Sequence, residues 1–221
     1  TPKEGRYRDP VKITRGGMAT VFRVEDRDLA RPTAAKVALP AIARDPANAA
    51  RFVEEARITA RLEHPNIVPV HDMGQTHDLG LFFTMKLVQG EALSDILERL
   101  RLDDRATRET YSLHTLLAIL RKACDAIAFA HSRDVVHLDI KPENIMVGPY
   151  GEVLVLDWGI ARQLPGNPGA PPPPTAPRDI RGTPAYMAPE QAEGHAGQLD
   201  RQTDVFLIGA TLYHILTLAP P

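Results

Sequence analysis

Two features near the start of the chain could bind phosphate. Gly16 and Gly17 separate two short β-branched runs, and a hairpin tip containing glycine lets backbone N–H groups approach an anion. Lys36 follows Ala34 and Ala35 in an apolar strand, where a lysine needs an anionic partner. Each feature also has a simpler explanation: an ordinary β-turn in the first case, and an edge lysine with its ammonium group in water in the second.

Three further segments with polar residues follow later in the chain: His137–Asn144, Leu156–Gly159 and Gly182–Glu190. None of them identifies a function alone, because the Asp-Trp-Gly of the second segment, for example, is also an ordinary turn after a strand. The informative feature is the order of all five segments along the chain.

The five segments together resemble the motifs of protein kinases. His137–Asn144 is similar to the catalytic loop H-R-D-L-x-x-x-N, Leu156–Gly159 contains a counterpart of D-F-G, and Gly182–Glu190 is similar to the A-P-E end of an activation segment. The glycine-rich loop G-x-G-x-x-G-x-V is matched only at Gly16, and Lys36 stands at the position of the strand lysine. Chance agreement of five ordered segments is negligible.

The resemblance covers residues 11–221 and indicates one branch of the family. The stretches His64–Val68 and Gly182–Gln191 look like those of bacterial eukaryotic-like (Hanks-type) Ser/Thr kinases, and Lys141 also resembles the Ser/Thr class. The implied function is transfer of the γ-phosphoryl group of Mg-ATP to Ser/Thr hydroxyls of protein substrates. Three alternatives stay open: a pseudokinase scaffold that binds partners without catalysis, a small-molecule kinase of similar fold, and a Pro-rich interaction module.

The resemblance implies roles for the catalytic residues. Asp139 would orient the attacking hydroxyl and accept its proton, and Lys141 would neutralise the γ-phosphate. Asn144 and Asp157 would hold Mg²⁺, or Mn²⁺ in its place, against the phosphates of ATP. Thr183 would hydrogen-bond to Asp139 and Lys141.

Further roles follow from the same resemblance. Lys36 would hold the α- and β-phosphates and pair with Glu55, for which Glu54 is the competitor. Glu190 would form a structural ion pair, and Asp204 would bind the backbone of the catalytic loop. Met85 would be the gatekeeper residue, and the backbone of Lys86 and Val88 would contact the adenine. The remaining nucleotide contacts implied are Ile13, Gly16, Gly17, Val21, Ala34 and Met146.

The implied fold is α+β, with two lobes and ATP between them. Residues 1–86 would form a small, mainly antiparallel β lobe with the Glu55 helix, and residues 87–221 a larger, mainly helical lobe. A Pro-rich insert is expected at 163–177. Because kinase domains of this type continue for several more helices, the larger lobe is expected to be incomplete at its C-terminus, with exposed apolar surface and a tendency to self-associate.

Local patterns predict the helices. Asp45 and Pro46 are typical of a helix start, and Arg101–Glu109 is predicted to be a solvated connection. Val205–Ala219 is shorter than the ~20 residues of a membrane span and is predicted to be a buried helix. The helix after Ser112 is expected to present one apolar face containing Leu113, Leu116, Leu117, Leu120, Cys124, Ile127 and His131.

Composition narrows the class of protein. A formal net charge of −2 gives no reason to expect nucleic-acid binding. The single cysteine, Cys124, cannot form an internal disulfide, and no secretion signal or membrane segment stands out. A cytoplasmic domain is therefore expected, while an anchor outside this chain stays open.

Two departures from the kinase pattern carry predictions. Leu138 replaces the arginine that normally binds a phosphorylated activation-loop residue, so activity is expected to depend little on phosphorylation, for example of Thr175. Thr14 and Ala19 replace glycines of the phosphate loop. If those positions require positive φ, the strain is expected to weaken nucleotide binding about ten-fold.

Overall fold

The computed structural model describes residues 4–164 and 180–221, and these form two compact units. Of the described residues, the first unit comprises those within 4–63 and 68–89, and the second comprises those within 64–67, 90–164 and 180–221. The division therefore falls after Gln89, whereas the sequence suggested a boundary after residue 86. The short stretch His64–Ile67 joins the second unit because the side-chain amide of Asn66 donates to the carbonyl of Val153 at 2.8 Å.

An antiparallel sheet dominates the first unit. Its strands in chain order are β1 (Tyr7–Arg15), β2 (Ala19–Asp26), β3 (Arg31–Ala38), β4 (Val70–Thr76) and β5 (Gly80–Met85). They lie side by side in the order β1-β2-β3-β5-β4, and each neighbouring pair is antiparallel. Because β3 is central and buries Ala34 and Ala35, a side chain that it carries has a fixed position.

Two helices, α1 (Pro40–Arg44) and α2 (Pro46–Arg61), follow β3. The Asp45 carboxylate caps α2 by accepting from the backbone N–H of Asn48 at 2.8 Å, which confirms the predicted helix start. The buried face of α2 packs on the sheet through Phe52, whose ring centroid lies 5.2 Å from that of Phe83. The α2 residues next to Phe52 are thereby held against β3 and β5.

The second unit is mainly helical. Its helices are α3 (Leu93–Arg101), α4 (Arg105–Thr110), α5 (Leu113–Ser132), α6 (Pro189–Ala192) and α7 (Arg201–Thr217). Its short strands are β6 (Glu91–Ala92), β7 (Val135–Val136), β8 (Ile145–Val147), β9 (Val153–Val155) and β10 (Arg162–Gln163). β8 and β9 pair as an antiparallel hairpin, and the described residues have the predicted α+β fold.

One local prediction for the second unit was wrong and another was wrong in part. The stretch predicted as a connection contains α4, because the Asp104 carboxylate caps it by accepting from the backbone N–H of Thr107 at 2.8 Å. On α5, Leu113 and Leu117 are 52% and 40% exposed. Leu116, Leu120 and Ile127 are buried as predicted, and the rest of the buried face consists of Ile119, Ala123, Ala126 and Ala130.

Only one face of α7 is buried, so the predicted buried helix is only half correct. Thr203, Asp204, Leu207, Ala210, Thr211 and Ile215 are buried. Val205, Phe206, Tyr213 and Leu216 are exposed, so apolar surface remains on the opposite face. Among the described residues, no helix has both the length and the hydropathy needed to cross a membrane.

Candidate active site

Four side chains meet in the loop that follows β7. The Asp139 carboxylate accepts from the Thr183 hydroxyl at 3.1 Å through Oδ1 and from the Asn144 amide at 3.1 Å through Oδ2. The ammonium group of Lys141 lies 3.0 Å from the same Oδ2 and also donates to the Thr183 hydroxyl. The structure therefore brings together all four residues to which the sequence assigned catalytic roles.

Asp204 holds the backbone of this loop from α7. Its carboxylate is fully buried and accepts from the backbone N–H of His137 at 2.9 Å and of Leu138 at 2.8 Å. His131 Nε2 lies 2.8 Å from the same carboxylate and supplies a third donor. Three donors compensate for burying the carboxylate, and the contact with the loop backbone is the one that the resemblance implied.

Leu138 has an unusual backbone conformation. Its φ of +69° lies in the left-handed region, which costs a non-glycine residue about 1–2 kcal/mol. Neighbouring side chains hold it there: Asp204 accepts from its N–H, and the Gln191 amide donates to its carbonyl at 2.8 Å. The Leu138 side chain is buried, so an apolar contact occupies the position where the resemblance places a phosphate-binding arginine.

His137 connects the loop to the Asp-Trp-Gly segment. Its Nδ1 accepts from the backbone N–H of Asp139 at 3.1 Å, and its Nε2 donates to the carbonyl of Leu156 at 3.1 Å. Its ring centroid lies 4.5 Å from that of Trp158, which is buried. Trp158 thus supplies the large apolar ring expected at this position.

Asn144 and Asp157 lie on segments joined by a backbone hydrogen bond, from the N–H of Leu156 to the carbonyl of Asn144 at 2.8 Å. Asp157 is exposed and has a φ of +57°. An amide oxygen and a carboxylate are the hard oxygen ligands that Mg²⁺ accepts, with phosphate oxygens and water completing its shell. Both residues therefore fit the metal that the resemblance implies. In the described ranges, no three His, Cys, Asp or Glu side chains cluster as a metal site.

In the first unit, Lys36 on β3 pairs with Glu55 on α2, with Nζ 2.5 Å from Oε1. Both side chains are mostly buried, at 15% and 8% exposure, so this is an interior ion pair. The ammonium group also lies 5.9 Å from the centroid of the Phe83 ring. The helix glutamate that pairs with Lys36 is thus Glu55, as the resemblance implied over Glu54.

The turn between β1 and β2 corrects one prediction. Thr14 pairs with Val21 within the sheet, Ala19 opens β2, and neither residue has positive φ. The backbone strain that was expected to weaken nucleotide binding is therefore absent at these two positions. A Cβ atom at Gly17 would meet nothing within 4 Å, and one at Gly16 would meet only the carbonyl of Ala19 at 3.7 Å.

The other predicted nucleotide contacts lie on strands or just after them. Ala34 is buried on β3 opposite Met85, the last residue of β5, and Ile13 is exposed on β1. Lys86 and Val88 follow β5, and Lys86 donates its N–H to the carbonyl of Pro69. Met146 lies on β8 in the second unit.

Three other predictions concern residues away from the loop. Glu190 accepts from the Thr203 hydroxyl at 2.6 Å, and its ion pair stays a prediction. Cys124 is half-buried, and burial raises the pKa of its thiol, which favours a core residue over a nucleophile. Thr175 and most of the Pro-rich insert lie outside the described residues.

Sequence reasoning missed Gln191 and His131. His131 was assigned only to an apolar helix face, although its ring bonds to Asp204. Gln191 stands three residues after Ala188, the residue before α6, and its Oε1 accepts from the backbone N–H of Ala188 at 3.2 Å. Glutamine at this spacing is a known helix-start signal, but the pattern does not show that the amide also reaches Leu138.

Comparison with known proteins decides the family. Residues 7–221 match the protein kinase domain. The chain belongs to the protein kinase family. The kinase domain is 38% identical to serine/threonine-protein kinase PknD of Protochlamydia amoebophila, over 95% of this chain and 23% of that protein. It is 37% identical to serine/threonine-protein kinase PknA of Mycobacterium tuberculosis, over 96% of this chain and 47% of that protein.

A probable serine/threonine-protein kinase of Streptomyces coelicolor is also 37% identical, over 98% of this chain and 31% of that protein. The relatives are bacterial, as the sequence predicted. The kinase domain spans less than half the length of each of these curated relatives.

Proposed function

We propose that the chain is the catalytic domain of a serine/threonine protein kinase that transfers the γ-phosphoryl group of Mg-ATP to Ser or Thr hydroxyls of proteins. The observation that carries this proposal is the set of hydrogen bonds around Asp139. A carboxylate has about four lone-pair sites. Thr183 takes one on Oδ1, and Lys141 and Asn144 approach Oδ2, so one site on Oδ1 remains for the hydroxyl of a substrate.

In this mechanism Asp139 receives the proton of the attacking hydroxyl at Oδ1. Thr183 and Lys141 hold the carboxylate still, so that the hydroxyl meets an oriented acceptor. Lys141 also places a positive charge where negative charge develops on the transferred phosphoryl group. Asn144 and Asp157 would hold magnesium, which neutralises phosphate charge when bound.

The first unit would serve the nucleotide. Glu55 fixes the Lys36 ammonium group on a central strand, which suits it to bind the α- and β-phosphates. Met85, Lys86 and Val88 would meet the adenine, with Met85 at the end of β5.

The choice of a protein substrate and of Ser/Thr rests on two observations. Gly182–Glu190 places Thr183 on Asp139, and small-molecule kinases of similar fold lack this segment. The curated relatives are named serine/threonine-protein kinases. A pseudokinase would be expected to lack at least one of Lys36, Asp139 and Asp157, whereas all three are present.

The experiment is phosphoryl transfer from γ-labelled Mg-ATP to three matched peptides that differ only in carrying Ser, Thr or Tyr. The full-length protein is compared with Asp139→Asn and with Asp125→Asn, which changes an exposed carboxylate on α5. We expect transfer to Ser and Thr, a loss of about 100-fold or more in Asp139→Asn, and no loss in Asp125→Asn. No transfer by the unmodified protein, or equal transfer by Asp139→Asn, would overturn the proposal.

A further inference from the structure

A buried glutamine joins the two segments that carry Asp139 and Thr183. Gln191 lies in α6, and its side chain is 3% exposed. Its Nε2 donates to the carbonyl of Leu138 at 2.8 Å and, over a longer 3.4 Å, to the carbonyl of Arg181. One amide group therefore binds two backbone carbonyls that are far apart in the sequence.

The positions of those carbonyls connect them to the chemistry. Leu138 immediately precedes Asp139, and Arg181 stands two residues before Thr183. The Thr183 hydroxyl donates to Asp139 at 3.1 Å. The amide of Gln191 thus fixes the backbone on the N-terminal side of both partners of this hydrogen bond.

Gly182 permits the backbone conformation at the point where these segments meet. Its φ is +122°, a conformation that side chains rarely adopt. A Cβ atom there would lie 3.4 Å from Nε2 of Gln191 and 3.5 Å from the carbonyl oxygen of Leu138. The backbone of the activation segment therefore lies directly against the hydrogen bond between Gln191 and Leu138.

We propose that Gln191 is a positioning residue for phosphoryl transfer. It holds Leu138 and Arg181 together, and thereby keeps the Asp139–Thr183 hydrogen bond formed before a substrate arrives. This inference rests on the proposed function, in which Asp139 accepts the proton of the substrate hydroxyl. The contact is neutral, so it orders the end of the activation segment without a phosphate group.

Two variants of the full-length protein test this role. Gln191→Met keeps the length and volume of the side chain but removes both donated hydrogen bonds. Gln191→Glu also keeps an oxygen for the backbone N–H of Ala188 while losing the N–H donors. Gln198→Met, at an exposed glutamine in the same region, is the matched control.

Two readouts separate positioning from packing. We expect kcat to fall about ten-fold or more in both Gln191 variants, because small displacements of reacting groups are costly, while the directly titrated affinity for Mg-ATP is unchanged. We also expect faster cleavage by trypsin at the Arg181–Gly182 bond, located by mass spectrometry, because the carbonyl of Arg181 loses a partner. Gln198→Met should match the unmodified protein in both.

Each outcome decides one question. Lower kcat together with faster cleavage at Arg181–Gly182 supports the positioning role. Unchanged kcat in Gln191→Met overturns the positioning role, and so does an unchanged cleavage rate in both Gln191 variants. A loss of Mg-ATP affinity as large as the loss of kcat in both variants also overturns it. If the unmodified protein transfers no phosphoryl group, the proposed function fails, and the cleavage rate alone still tests whether Gln191 holds the two segments together.

Discussion

Replacing Asp204 should destabilise the second unit far more than replacing another acidic residue of the same helix. Asp204→Ala leaves the buried N–H groups of His137 and Leu138 and the ring of His131 without their acceptor. Each unsatisfied buried donor costs about 1–3 kcal/mol. We therefore expect a loss of about 3–5 kcal/mol in the free energy of unfolding, a large part of the stability of a typical domain.

The competing explanation for Asp204 is a favourable charge in the first turn of α7. An acidic residue there stabilises a helix by only about 0.3–1 kcal/mol. Asp200, the N-cap of α7, provides the control, because it accepts from the backbone N–H of Gln202 at 2.7 Å and is exposed. Asp200→Ala should cost about 1 kcal/mol.

The assay is equilibrium unfolding in urea, followed by the fluorescence of Trp158. Trp158 is the only tryptophan of the chain, and its ring packs on His137 in the loop that Asp204 supports. Asp204→Asn keeps the shape but turns one acceptor into a donor, so it should lose about 1–3 kcal/mol. If Asp204→Ala costs no more than Asp200→Ala, Asp204 does not support the loop and the reasoning fails.

Three other predictions can be tested on the same protein. Asp157→Asn should weaken Mg-ATP binding because it removes a carboxylate ligand, whereas Asp139→Asn should leave Mg-ATP binding unchanged. Calorimetric titration of ATP with and without magnesium checks both variants, and unchanged affinity in Asp157→Asn would contradict the metal assignment. Lys36→Met should raise KM for ATP more than KM for the peptide, and the reverse order would exclude a phosphate-binding role. Burial lowers the pKa of His214, whose ring hydrogen-bonds with the Tyr186 hydroxyl at 2.6 Å. The buried neutral form of His214 therefore stabilises the protein above pH 6.5, and this contribution is lost as the pH falls below 6.5. Unfolding between pH 7 and 5 should therefore depend less on pH in His214→Gln, and an unchanged slope would refute this.

The parts of the site that depend on local chemistry could be predicted from the sequence. His137–Asn144 carries its functional groups within one loop, so its resemblance to the kinase catalytic loop indicated Asp139, Lys141 and Asn144 as one set. The capped start of α2 also follows from a local cap signal, Asp45 before Pro46. In these cases the interacting residues are close in the chain.

Two features of the second unit could not be predicted. One depends on residues that are far apart in the chain, and the other depends on small side chains. Gln191 and Leu138 are 53 positions apart, and no periodic pattern connects them. On α5, the large residues Leu113 and Leu117 were wrongly assigned to the buried face. Alanine side chains give a weak apolar signal, although they allow the close packing that buries Ala123.

The catalytic loop obtains its geometry from side chains rather than from a helix or sheet. Leu138, in the left-handed region, cannot belong to either element, so its polar backbone groups need other partners. Asp204 accepts from its N–H, Gln191 donates to its carbonyl, and His137 accepts from the N–H of Asp139. Because three separate side chains hold two consecutive residues, we expect the backbone at Leu138 and Asp139 to keep this conformation. Under the proposed function, substitutions at Asp204 and Gln191 should therefore change catalysis although neither residue is assigned a contact with the substrate.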